Sequence, residues 1–112
     1  MNHMTEVREY LDAKGNNRYA KWFDRLNATA AAKVATAIHR MEQSNFSNVK
    51  GVGSGVYEYR IDFGPGYRIY FGKDGDRLVI LLAGGTKKRQ DVDVSAAKAH
   101  WRDYKRRKRQ EV

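Results

Sequence analysis

Arg60 and Arg68 flank a Gly64-Pro65-Gly66 turn, and Lys87, Lys88 and Arg89 follow the glycine pair Gly84-Gly85. Brought together, such cations surround a phosphodiester. They orient a 2′-hydroxyl, raise its acidity and stabilise the charge of a pentacovalent phosphorane. Arginine takes up no proton at neutral pH, so the general base must come from elsewhere or from a perturbed lysine. Tyr70, Lys88 and Arg89 are the candidates for holding RNA around that centre. Other chemistries lack their residues. His3, His39 and His100 stand in no metal-ligand spacing and are expected at the surface. The serines sit in no nucleophile elbow, and neither glycine group has the spacing of a dinucleotide loop. No metal and no cofactor is expected.

Those cations need a sheet to place them. Val56 to Phe63 alternates, with Tyr57, Tyr59, Ile61 and Phe63 on one side and Glu58, Arg60 and Asp62 on the other. The Gly64-Pro65-Gly66 turn leads to Tyr67–Gly72, and Asp74-Gly75 closes a second hairpin onto Arg77–Ala83. If Phe63 faces Tyr67, then Asp62 faces Arg68 and Arg60 faces Tyr70. Glu58, Arg60, Asp62, Arg68 and Tyr70 then share one face. A slip of one residue would turn every side chain over. The second turn places Val79 and Leu81 on the face of Arg68, with Leu78, Ile80 and Leu82 opposite, so this strand is expected to be central and covered on both faces. The same pattern has a plainer reading, since Asp62 with Arg68 and Glu58 with Arg60 make ordinary cross-strand ion pairs.

Before the sheet, Thr5–Leu11 is short and ambiguous in pattern, and its Val7, Tyr10 and Leu11 are able to make a strand added to the sheet's edge. Gly15-Asn16-Asn17 breaks the pattern and caps a helix whose apolar face is Tyr19, Trp22, Phe23 and Leu26. A second helix, Ala30–Met41, carries a stripe of Val34, Ala37, Ile38 and Met41, so the pair forms a helical hairpin over one sheet face. Ser44–Ser54 reads as loop. Ala97, Trp101 and Tyr104 mark a short C-terminal helix ending in Lys105-Arg106-Arg107-Lys108-Arg109, a cationic run suited to the negative pole of a helix. The expected fold is therefore α+β, an antiparallel sheet of three or four strands with an N-terminal helical hairpin and that short helix. One domain spans residues 1–112, with residues 1–4 and 108–112 flexible.

The 112 residues carry a net charge of +9, which draws a small protein to polyanions, nucleic acid first. Hydrophobic residues at 41% and charged ones at 31% are a globular balance. Cysteine is absent and no apolar run approaches the ~20 residues of a membrane span, so a cytoplasmic protein with no membrane partner is expected.

GVYEYRIDFGPGYRIYF, the following DGDRLVILLAGG and the closing TKKRQ resemble the RelE/ParE toxin superfamily, in its HigB-like addiction module killer branch. The likeness runs from about Val7 to Trp101, and Gly66-Tyr67-Arg68 with the glycine pair before lysine is its most specific part. It implies a type II toxin–antitoxin toxin, neutralised by a cognate antitoxin of the helix-turn-helix DNA-binding kind. RelE-type members cleave mRNA on the ribosome without a metal. The resemblance places Arg68 near the scissile phosphate, Arg60 as a second cation on the preceding strand and Lys87 after the last strand. Glu58 stands where such sites carry lysine. Asp91, Val92 and Asp93 stand where a tyrosine or histidine often moves the proton. ParE-type relatives bind DNA gyrase instead, and a basic RNA-binding module without catalysis is a third reading.

Overall fold

The tight turns and alternating runs do build a sheet, seen in a computed structural model that describes residues 4–111. The elements are β1 (Glu6–Glu9), α1 (Arg18–Asp24), α2 (Ala28–Glu42), β2 (Val49–Gly53), β3 (Val56–Ile61), β4 (Tyr67–Lys73), β5 (Leu78–Thr86), a 3-10 turn (Lys87–Arg89) and α3 (Gln90–Gln110). The five strands lie in the order β1-β5-β4-β3-β2. Four are antiparallel neighbours in sequence, while β1 joins the far edge parallel to β5. The sheet is thus mixed and five-stranded rather than antiparallel with three or four. The extra strand is β2, which occupies part of the expected Ser44–Ser54 loop and pairs with β3 through a bulge at Gly51/Gly53. Its alternation is masked because glycine and lysine fill an exposed edge strand.

Local chemistry starts the first two helices where the asparagines stand. Asn17 Oδ1 accepts from Ala20 N, and Asn27 Oδ1 accepts from Ala30 N, both at 2.9 Å. Each cap is worth about 1 kcal/mol. Tyr19 and Trp22 from α1, with Ala30, Val34, Ala37 and Met41 from α2, bury against Tyr59, Tyr67, Ile69, Phe71, Val79 and Leu81. Burying a side chain such as Ile69, Phe71 or Leu81 stabilises the fold by roughly 1.5–3 kcal/mol.

The opposite face is not open. It is covered by α3, the longest helix at 21 residues where a short one was expected. Ala97 and Trp101 pack there with Tyr10, Val56, Tyr70, Ile80, Leu82 and Ala83. Trp101 seats over Gly72, where a Cβ would lie 2.4 Å from its Cε3. The thin apolar stripe of α3 is enough to bury it because its large indole meets a strand position without a side chain. The helix continues through residues 108–110, whereas the expectation for residues 1–3 and 112 lies outside the described span. Among the described residues no helix is long and apolar enough to cross a membrane.

The strand register differs from the expected one in two ways. Ile61, not Phe63, faces Tyr67, so Arg60 pairs with Arg68 and Glu58 with Tyr70. That shift preserves the parity, and Glu58, Arg60, Arg68 and Tyr70 still share a face. Asp62 falls beyond the strand and is exposed. The second connection takes in residues 74–77, with Asp74 N bonded to Leu78 O at 2.8 Å, so Lys73 pairs with Val79. This puts Val79 and Leu81 on the face of Ile69 and Phe71, away from Arg68. A bulge between Tyr70 and Phe71 then reverses the parity, returning Ala83 and Gly85 to the face of Tyr70 and Arg68. As expected, β5 is central and covered on both sides.

Candidate functional site

Beneath the first turns of α3, the even-numbered residues of β3 and β4 form a polar cluster. Glu58 is fully buried. Its Oε1 accepts from Arg60 Nε at 3.0 Å and lies 3.8 Å from Arg68 Nε, while Oε2 accepts from Gln90 Nε2 at 2.8 Å. A carboxylate out of water needs such company, since an unpaired buried charge costs several kcal/mol. The Arg68 side chain is 5% exposed, against 45% for Arg60. Arg68 Nη1 also donates to Tyr67 O at 3.1 Å. The Tyr70 hydroxyl beside them is buried, and burial first, then Glu58 and Asp93, push its pKa well above the ordinary value.

Three candidate cations gather where β4 begins and β5 ends. Arg60 stands opposite Arg68. Lys87 N donates to Gly66 O at 2.7 Å. A Cβ on Gly66 would lie 3.3 Å from Arg68 Nη1 and 3.4 Å from Lys87 Cβ, so the Arg68 guanidinium and the base of the Lys87 side chain meet at that glycine. Arg60 and Lys87 face solvent, and Arg68 lies enclosed behind them. The remaining candidates separate. Tyr70 packs in the core with Val56, Ile80 and Ala97 and presents no ring face to a nucleobase. Lys88 and Arg89 are exposed on the 3-10 turn. Of the two expected ion pairs, Glu58 with Arg60 forms, whereas Arg68 turns to Glu58 rather than to Asp62.

Gln90 has no role assigned from the sequence, and Asp93 is named there only as standing where a tyrosine or histidine often moves the proton. Both sit on the first turns of α3, and only the docking of that helix brings them to the cluster. Asp93 is 3% exposed. Its Oδ1 lies 3.2 Å from Arg18 Nη2 and its Oδ2 is buried without a hydrogen-bond partner. A Cβ on Gly85 would stand 1.9 Å from that Oδ2, and a Cβ on Gly84 2.1 Å from Trp22 Cε3. The glycine pair is therefore the place where α1 and α3 close on β5 from opposite faces. The available signal was the pair itself, since glycines inside a strand often mark a close approach.

Beside Asp93 opens a cleft of about 670 Å³, bounded by Arg18, Lys21, Trp22 and Arg25 of the α1 segment, Arg89 and His100. His100, expected at the surface, is half-buried and stacks on Tyr10 with ring centroids 4.7 Å apart. Burial, with Arg18 nearby, lowers its pKa and favours the neutral ring. The acceptors around Arg68 are closed off. Glu58 has both oxygens engaged, Asp93 is enclosed, and Tyr70 is held protonated. The cluster supplies fixed positive charge and no accessible proton acceptor.

A family model described as "Phage derived protein Gp49-like (DUF891)" matches residues 21–105, from within α1 to the last third of α3. An uncharacterized protein of Haemophilus influenzae is 43% identical over 89 residues, covering 79% of this chain and 90% of the relative.

Proposed function

We propose that this chain, which belongs to the phage-derived Gp49-like family, is the toxin of a type II toxin–antitoxin module and cuts mRNA on the ribosome. The family is associated with toxin–antitoxin systems, which supports the biological setting and a cognate antitoxin as partner. The observation that carries the chemistry is the closing of Arg68 and Lys87 on Gly66 at one end of the sheet, with Arg60 opposite Arg68 on the neighbouring strand. In the proposed reaction the 2′-hydroxyl gives its proton to solvent water and its oxygen attacks the adjacent phosphorus. A 2′,3′-cyclic phosphate forms as the bond to the 5′-oxygen breaks and that oxygen takes a proton from water. The three cations carry the charge that builds on the non-bridging oxygens, without a metal, as the RelE-type resemblance implies. Arg60 and Lys87 meet the phosphate directly, Arg68 braces it from behind, and Lys88 steers the strand. Glu58 holds the two arginines in place rather than moving a proton.

The enclosure of Arg68 beneath α3 favours a second reading, a ParE-like toxin that binds DNA gyrase and needs no open phosphate site. Induction in growing cells separates the two. On the nuclease reading, incorporation of labelled methionine stops before that of thymidine, and cuts appear within translated messages. Lys87→Ala, at an exposed position, then lowers cleavage by about 10²–10³, the usual loss for one charge stabiliser. Replication stopping first would move the reading to gyrase. A fully active Lys87→Ala would remove Lys87 from the site.

A further inference from the structure

We infer that the cleft between α1 and the start of α3 is a second phosphate-binding site, which seats a nucleotide of the same single-stranded RNA beside the one held at Arg60, Arg68 and Lys87. The inference rests on the nuclease reading above. At about 670 Å³ the cleft has the size of a small-ligand site. Arg18, Lys21, Arg25 and Arg89 bring four cations to it against two lining acids, so the cations outnumber the acids even with Arg18 committed to Asp93. Asp93 pairs with Arg18. Asp12 accepts from Lys14 N and Asn16 N, both at 2.8 Å, and from Asn16 Nδ2 at 3.0 Å. Among the described residues, neither Arg25 nor Arg89 enters an ion pair. Their charge faces solvent uncompensated.

Gly84 and Gly85 line the cleft beneath Trp22 and Asp93, which close over them, and the half-buried His100 supplies ring surface beside the cations. Thr86 lines the cleft and is followed by Lys87, so the cleft ends one residue from the first site at the end of β5. A ring next to cations, adjoining a phosphodiester site, fits a nucleic-acid strand better than an acidic peptide.

The test measures binding of a short fluorescein-labelled single-stranded RNA, 2′-O-methylated so that it cannot be cut, by anisotropy across a salt series. Wild type is compared with Arg25→Gln/Arg89→Gln, and thermal melts check the fold, both side chains being exposed. Two lost phosphate contacts flatten the slope of log affinity against log salt by about 1.4, a loss of roughly 25-fold at 0.1 M salt. An unchanged slope and affinity overturns the inference. So does a variant that loses binding of a polyglutamate peptide and keeps that of RNA. Wild type that never cuts message on ribosomes, yet shows the slope the variant flattens, refutes the nuclease reading and leaves the cleft standing.

Discussion

Replacing Arg68 with alanine removes a guanidinium enclosed with the fully buried Glu58, and the loss falls on the fold before it reaches any reaction. Taking one partner from a buried ion pair costs about 3–5 kcal/mol, chiefly because the other charge stays behind out of water. Glu58 keeps Arg60 at 3.0 Å and Gln90 at 2.8 Å, which places the cost at the lower end, about 3 kcal/mol. Trp22 and Trp101 are buried on opposite faces of the sheet, so indole fluorescence follows both halves of the core during urea unfolding. With an m-value of about 1–3 kcal/mol per molar, the midpoint falls by roughly 1–3 M. Glu58→Gln/Arg68→Ala removes the stranded charge and recovers most of the loss. A single variant within about 0.5 kcal/mol of wild type, or a double variant no more stable than the single, would refute the account of Glu58. The consequence for function is direct. Growth arrest lost in Arg68→Ala reports a weakened fold, and Lys87→Ala is the cleaner probe of chemistry.

Two other outcomes follow from the packing. Gly85→Ala drives a methyl into the Asp93 carboxylate and loosens α3 from β5, at a cost of about 1–3 kcal/mol; a melting temperature equal to wild type would contradict the close approach. Asp74 is held below the ordinary carboxylate range by hydrogen bonds from Lys108 and then Tyr104. A carboxyl with a depressed folded pKa contributes stability above its unfolded value, about 3.9, and loses it as pH falls through the folded one. Asp74→Asn is therefore less stable at neutral pH and shows a shallower loss toward acid, and acid-limb profiles parallel to wild type would sink that assignment.

What the chain order determined by itself was local. Alternation marked β3, the turns bounded β4 and β5, the Asn16-Asn17 pair marked the start of α1, and the stripes of the first two helices named most of the first core. The shared face of Glu58, Arg60, Arg68 and Tyr70 was also legible, because side-chain direction depends only on parity, and a two-residue error in pairing leaves parity intact. Tertiary structure decided the rest. The parallel docking of β1, the bulge in β5 and the loop of residues 74–77 depend on partners distant in sequence. The largest change came from α3. Its stripe of Ala97, Trp101 and Tyr104 says that a helix packs, but not on which face of the sheet. Only the empty positions at Gly72 and Gly85 select it, by admitting Trp101 and Asp93. That choice encloses Arg68 and Tyr70, leaves Arg60 and Lys87 in solvent, and turns a pattern of cations into a layered cluster around Glu58.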